Sequence, residues 1–203
     1  MSVIQQIIIL APALLFALTI HEYAHGYVAY QFGDPTALNQ GRLTLNPLKH
    51  IDPMGVLCFV ILKIGWAKPI PVNAAYFKNP RRDLLWVSLA GPGANVIGAL
   101  ASAVLVKLLA FFLHNLPGAV LMPVLQMLVA SVWINIVLAV FNLVPIPPLD
   151  GSKILSGLLP PGLARGYARL EPFGFIILLV LFYTGILPKL IMPIVSIAQG
   201  MIV

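Results

Sequence analysis

The pentapeptide His21-Glu22-Tyr23-Ala24-His25 follows a long apolar stretch, Val3 to Ile20, in a chain with only four histidines and six acidic residues. On a helix, positions i and i+4 fall about 40° apart, so both imidazoles leave one face and can grip a single metal ion. Glu22 then lies beside that metal as a candidate general base. In a soluble domain the pattern reads as zinc-dependent hydrolysis. At membrane depth it reads as hydrolysis within the bilayer. The simpler alternative is a chance pair of histidines hydrogen-bonded inside a bundle; the shared face, the intervening Glu and the depth weigh against it.

Composition names the elements that must hold this motif. Of 203 residues, 60% are hydrophobic and 9% charged, whereas a soluble domain carries about a quarter charged residues. The expectation is an all-α polytopic membrane protein, a single membrane-embedded domain over residues 1–203. A crossing needs about 20 apolar residues. Val3–Tyr30, Leu84–Leu113 and Ala119–Val144 satisfy this, and Phe173–Leu187 is at the short end. The apolar run Val56–Ile64 is too short to span and reads as a re-entrant or hairpin segment. The tail Pro188–Val203, broken by Lys189, Pro193 and Gly200, fits either an interfacial helix or a partial fifth span. The N-terminal segment lacks a basic region and a small-residue cleavage pattern, so it reads as a span and not as a signal peptide. The single Cys58 excludes an intramolecular disulfide.

The formal net charge of +6 is unevenly placed. Ten of the twelve Lys and Arg lie in two loops: Arg42, Lys49, Lys63, Lys68, Lys78, Arg81 and Arg82, then Lys153, Arg165 and Arg169. With four spans these loops share one side, which the positive-inside rule makes cytoplasmic. The N-terminus then faces outside, and 31–83 is a cytoplasmic, membrane-associated loop. The charges read as topology signals and call for no nucleic acid partner. If the first helix leaves the membrane near Gln31, His25 and His21 lie on the order of 9–15 Å below the cytoplasmic boundary, at 1.5 Å per residue. Charged or metal-binding groups at that depth are costly and usually functional.

A catalytic zinc keeps three protein ligands and one open position, so a third ligand is needed. The extended pattern with a third His is absent, since Val28 and Gln31 stand at its Gly and His positions. Asp34, in Gly33-Asp34-Pro35, and Asp52, before Pro53, read as solvated turn residues. Asp83 reads as a helix cap. His50 and His114 read as loop bystanders. Asp150 ends the run Phe141-Asn142-Leu143-Val144-Pro145-Ile146-Pro147-Pro148-Leu149-Asp150-Gly151, whose prolines forbid regular helix and let the chain turn inward. Its carboxylate needs a partner, and a cation is the natural one. The other reading is an N-cap for the segment starting at Ser152. The topology puts Asp150 on the same side of the membrane as the His pair, which favours ligation.

The transmembrane His-Glu-x-x-His paired with Asn142-x-x-Pro145-x-Pro147-Pro148-Leu149-Asp150-Gly151 resembles the site-2 protease family of intramembrane zinc metalloproteases. Gly65-Trp66-Ala67-Lys68-Pro69-Ile70-Pro71-Val72 and Ser88-Leu89-Ala90-Gly91-Pro92-Gly93-Ala94-Asn95 carry the same resemblance. It covers residues from about 15 to 160. The resemblance implies His21, His25 and Asp150 as ligands of one zinc ion per chain, and Glu22 as catalytic base. It also implies a transmembrane protein substrate, cut near the cytoplasmic face. Neither a PDZ insertion nor a helix before the motif-bearing one is expected, which makes this a small form of the family.

Amide hydrolysis also needs a donor for the developing oxyanion. Asn142 and Asn95 are the candidates, and each fits a polar helix–helix contact equally well. Gly91-Pro92-Gly93 reads either as a kink that admits water or as close packing through small residues. Lys68–Val72 is extended by its prolines and offers an edge for strand addition by an unwound substrate. Two alternatives stand beside the protease: a zinc hydrolase of a lipid-linked substrate, and a non-catalytic scaffold or transporter. Compact size points to a prokaryotic plasma membrane. Substrate identity and oligomeric state are not written in the sequence.

Overall fold

A computed structural model of the protein describes residues 2–62, 65–112 and 118–202. Among these, regular structure is helical, with only an isolated antiparallel bridge between Ile51 and Ala67. The helices are α1 (Val3–Gln31), α2 (Thr36–Asn39), α3 (Pro53–Leu62), α4 (Pro80–Phe112), α5 (Gly118–Asn142), α6 (Asp150–Leu158), α7 (Pro161–Ala168), α8 (Gly174–Tyr183) and α9 (Ile186–Ile202). Four stretches are long and apolar enough to cross a membrane: Ile4–Gln31, Pro80–Phe112, Leu121–Asn142 and Pro161–Tyr183. The chain is an integral membrane protein of the all-α class.

Why these segments are helical follows from their medium. Lipid offers no partners for backbone N–H and C=O groups, so a spanning segment must satisfy them within itself. Pro12, Pro92, Pro123 and Pro193 all sit inside helices, where the packing of neighbouring helices tolerates the missing bond. Ser2 and Gln5 cap α1 reciprocally, which satisfies two of its free terminal donors.

The bundle is organised by α1, α4 and α5, each packed on the other two. In lipid, helices associate through close van der Waals contact, which small residues permit. Ala13 and Ala17 of α1 meet Ile134 of α5 in one buried cluster. Ala99 and Ala103 of α4 meet Val132 and Ile136 of α5 in another. A Cβ added at Gly98 would lie 2.6 Å from Ile20 Cδ1, so this glycine sets how near α4 comes to α1.

The fourth crossing differs from the expected Phe173–Leu187. It is assembled from α7, a 3-10 turn at Glu171–Phe173 and α8, and α8 alone has ten residues. Gly185, at φ +75°, then turns the chain into α9. That tail helix buries Leu187, Ile191 and Val195 against the α4–α5 core, a stripe at four-residue spacing. It is therefore part of the bundle and not a helix laid on its surface. Its 17 residues reach about 25 Å, short of the roughly 30 Å of a hydrocarbon core. The segment read as re-entrant or hairpin overlaps α3, and the Ile51–Ala67 bridge joins the residues that flank that helix. Lys63, Ile64, Leu113 and His114 lie outside the described residues.

Ala17 is fully buried at the α1–α5 contact. Ala17→Leu should lower stability by about 1–3 kcal/mol through overpacking, read as a fall in the unfolding midpoint of detergent-solubilised protein.

Candidate metal centre and active site

The His-Glu-x-x-His turn falls two turns before the end of α1, where that helix faces α4. His21 and His25 are both buried, and their Nε2 atoms lie 3.0 Å apart. Asp150, the first residue of α6, closes the site: its Oδ2 is 3.2 Å from His21 Nε2 and 3.1 Å from His25 Nε2. Asp150 comes from far along the chain because 143–149 folds back under α5. Ile146 N–H donates to Val144 O and Leu149 N–H to Ile146 O. A side chain at Gly151 would strike the Leu143 and Val144 carbonyls, so only glycine allows this reversal. Tyr167 O–H donates to Pro145 O at 2.8 Å and pins the segment from outside.

The far side of each imidazole settles its tautomer. His25 Nδ1 lies 2.6 Å from the Val87 carbonyl, which only accepts, so Nδ1 carries the proton. His21 Nδ1 lies 2.6 Å from Asn95 Oδ1. Asn95 Nδ2 donates to Ala17 O and Asn135 Oδ1, both at 2.9 Å, which leaves its oxygen for His21. Both Nε2 atoms therefore present lone pairs to each other and to a carboxylate. Three acceptors converge in a buried space, and among the described residues Asp150 Oδ2 has no hydrogen-bond donor. This donor set fits zinc, which takes His nitrogen and carboxylate oxygen and leaves a fourth position open. Gly91 supplies room beside it: an added Cβ would run into His25 Nε2 and lie 2.6 Å from His21 Cε1.

Glu22 is half-buried, and its Oε2 accepts from Ile70 N–H at 2.8 Å. Lys68–Val72 thus lies across the active-site turn. Arg42 Nη2 grips it through Lys68 O at 2.9 Å and Pro69 O at 3.4 Å, and Asp34 Oδ2 accepts from Asn73 N–H at 2.6 Å. The Ile70 side chain fills the notch that Gly26 leaves in α1.

Several expectations change here. Asp34 is not a solvated turn residue: it is 1% exposed and also binds Thr36 through N–H and hydroxyl. Asp52 is half-buried and accepts from Met54 and Gly55 N–H at the start of α3. Asp83 accepts from Asn79 N–H and serves as a cap. His50, read as a loop bystander, is 1% exposed with Nε2 on Thr44 O. Arg42 is a buried clamp as well as a topology charge, and Arg81 donates to Gly157 O and Leu159 O. Asn95, a candidate oxyanion donor, is fully buried with both amide hydrogens engaged, and it backs His21. Asn142, at the end of α5, donates to Leu138 O. Helix α4 continues through Gly91-Pro92-Gly93 without an unwound turn; Gly91 gives close packing against the imidazoles, whereas Gly93 has open space beside it. Asn135 escaped sequence reading because a single Asn in an apolar span carries no spacing signal.

The chain is 44% identical over 189 residues to the candidate zinc metalloprotease YwhC of Bacillus subtilis, covering 92% of this chain and 85% of that one. It belongs to peptidase family M50, the site-2 proteases. The family model itself matches residues 111–182. The M50 relatives include the candidate zinc metalloprotease Rip2 of Mycolicibacterium smegmatis, 32% identical over 93% of this chain and 72% of that one. A Rip2 of Mycobacterium tuberculosis is 34% identical over 83% of this chain and 64% of its own. No solved structure matches the chain. This M50 member is a zinc metalloprotease, and zinc is its metal.

Gly91→Ala would place a methyl group among the donor atoms. Zinc affinity should fall about tenfold or more while helix content by circular dichroism stays unchanged.

Proposed function

We propose that this M50 protein cleaves peptide bonds within or beside transmembrane segments of other membrane proteins, near the cytoplasmic face. His21, His25 and Asp150 hold the zinc, and Glu22 is the general base. The observation that carries the reading is the convergence of two bare Nε2 atoms and a carboxylate oxygen, buried, at the end of a helix long enough to span. Zinc bound there supplies a Lewis acid that polarises the scissile carbonyl and brings the pKa of water to about 7.

The chain's own residues do the rest. Glu22 takes the proton of the attacking water and passes it to the leaving amine. Its hydrogen bond from Ile70 N–H fixes the orientation of the carboxylate. The Asn142 amide, about two turns before Asp150 in sequence, donates to the developing oxyanion. A substrate helix must unwind before its amide reaches this site, and the extended Lys68–Val72 segment receives it by strand addition. The distribution of Lys and Arg supports an outside N-terminus and an active site that opens to the cytoplasm of a prokaryotic plasma membrane. The whole of 1–203 acts as one membrane-embedded protease domain.

The test compares zinc content and cleavage of a model transmembrane substrate by wild type, Glu22→Gln and Asp150→Asn. Glu22→Gln should keep about one zinc and lose at least ~100-fold in rate, whereas Asp150→Asn should lose the metal. A wild type that binds zinc yet cuts no transmembrane peptide would move the reading to a lipid-linked substrate. Substitutions across Pro69–Val72 should slow cleavage with zinc retained, and normal turnover would exclude strand addition at this edge.

A further inference from the structure

Behind the metal centre, between α1, α4 and α5, runs a line of polar side chains that the chemistry above leaves without a role. Asn135 of α5 is fully buried, as is Asn95 of α4. Asn135 Oδ1 accepts from Asn95 Nδ2 at 2.9 Å, and Asn135 Nδ2 donates to Ser131 O at 2.8 Å and to Ser131 Oγ at 3.2 Å. Ser131 Oγ in turn pairs with Ser102 Oγ at 2.9 Å. Buried polar groups in an apolar bundle cost free energy unless satisfied, so a chain of four invites a functional reason.

The direction of this chain is fixed at both asparagines. Ser131 O is a backbone carbonyl and only accepts, so Asn135 must turn its Nδ2 toward it and its Oδ1 toward Asn95. Asn95 must then offer Nδ2 to Asn135, and Ala17 O makes the same demand. Its Oδ1 is left facing His21 Nδ1, which must hold a proton to donate. A rotated Asn95 would present N–H to His21 Nδ1 and force the ring proton onto Nε2, the atom that faces Asp150 and His25. Space for the lock is also set aside: a Cβ at Gly98 would lie 2.8 Å from Asn135 Oδ1.

We propose that Asn135 is a positioning residue for the metal centre, holding Asn95 together with the Ala17 carbonyl so that His21 keeps its proton on Nδ1 and its Nε2 bare for zinc. The proposal rests on His21 being a zinc ligand. Asn135 touches neither metal nor substrate; it acts through two side chains.

The experiment measures zinc affinity by chelator competition, and the visible absorption spectrum of the cobalt-substituted protein, in detergent. Asn135→Leu removes the lock at similar volume and should weaken zinc about tenfold, the low end for outer-shell partners, with a changed cobalt spectrum. If Asn135→Leu fails to accumulate, Asn135→Ala removes the same acceptor and carries the same expectation. Wild-type affinity and spectrum in the folded variant overturn the proposal. So does weaker zinc binding with the wild-type cobalt spectrum, since that marks a packing role that leaves the His21 ring unchanged. His21→Ala is the control for the premise: should it retain zinc at full affinity, the ligand assignment fails independently of Asn135.

Discussion

Two imidazole nitrogens and a carboxylate oxygen, all acceptors, face one another at 3.0–3.2 Å inside an apolar bundle. Left to themselves they repel, and burial leaves water little room to relieve them. A shared cation turns this local instability into a binding site. Much of the surrounding structure keeps the three atoms aimed inward. The Val87 carbonyl and the Asn95 amide hold the imidazole protons outward, Gly91 keeps the space clear, and Gly151 lets the chain return sharply enough to deliver Asp150.

Packing serves the same end. Helices in lipid lack a hydrophobic drive toward each other, so they need small residues at contacts and a few polar ties. Ala17, Gly98 and Ala99 supply the first; the Asn95–Asn135–Ser131–Ser102 chain supplies the second. The ties are the positions where polarity would be most expensive if it failed to pair. They lie directly behind His21, so rigidity is concentrated where the three donor atoms converge.

The spacing of His21 and His25, the apolar lengths and the proline-rich approach to Asp150 were legible because each follows from one local rule: helical period, bilayer thickness, or the missing N–H of proline. Long-range partners were not. Asp34 and Arg42 look like loop residues in sequence, and only the fold reveals that each is buried against the backbone of a segment more than 25 positions away. The Asn95 amide was equally ambiguous, because its hydrogen-bond capacity fits an oxyanion or a neighbour until its neighbours are known. The fourth apolar stretch begins earlier in the structure, at Pro161, than the sequence reading placed it, because Arg165, Arg169 and Glu171 interrupt the apolar run that sequence alone can follow.

The distance in sequence between the halves of the metal centre bears on the order of biosynthesis. The His21–Asn95 contact joins positions 74 apart, and Asp150 arrives later still. A ribosome makes roughly 5–20 residues per second, so the two histidines enter the membrane many seconds before their third partner is synthesised. During that interval the nascent chain carries half a site, with no carboxylate to complete it. The three donor atoms therefore come together only once α5 has been made and the chain has turned back to bring Asp150 to the two histidines.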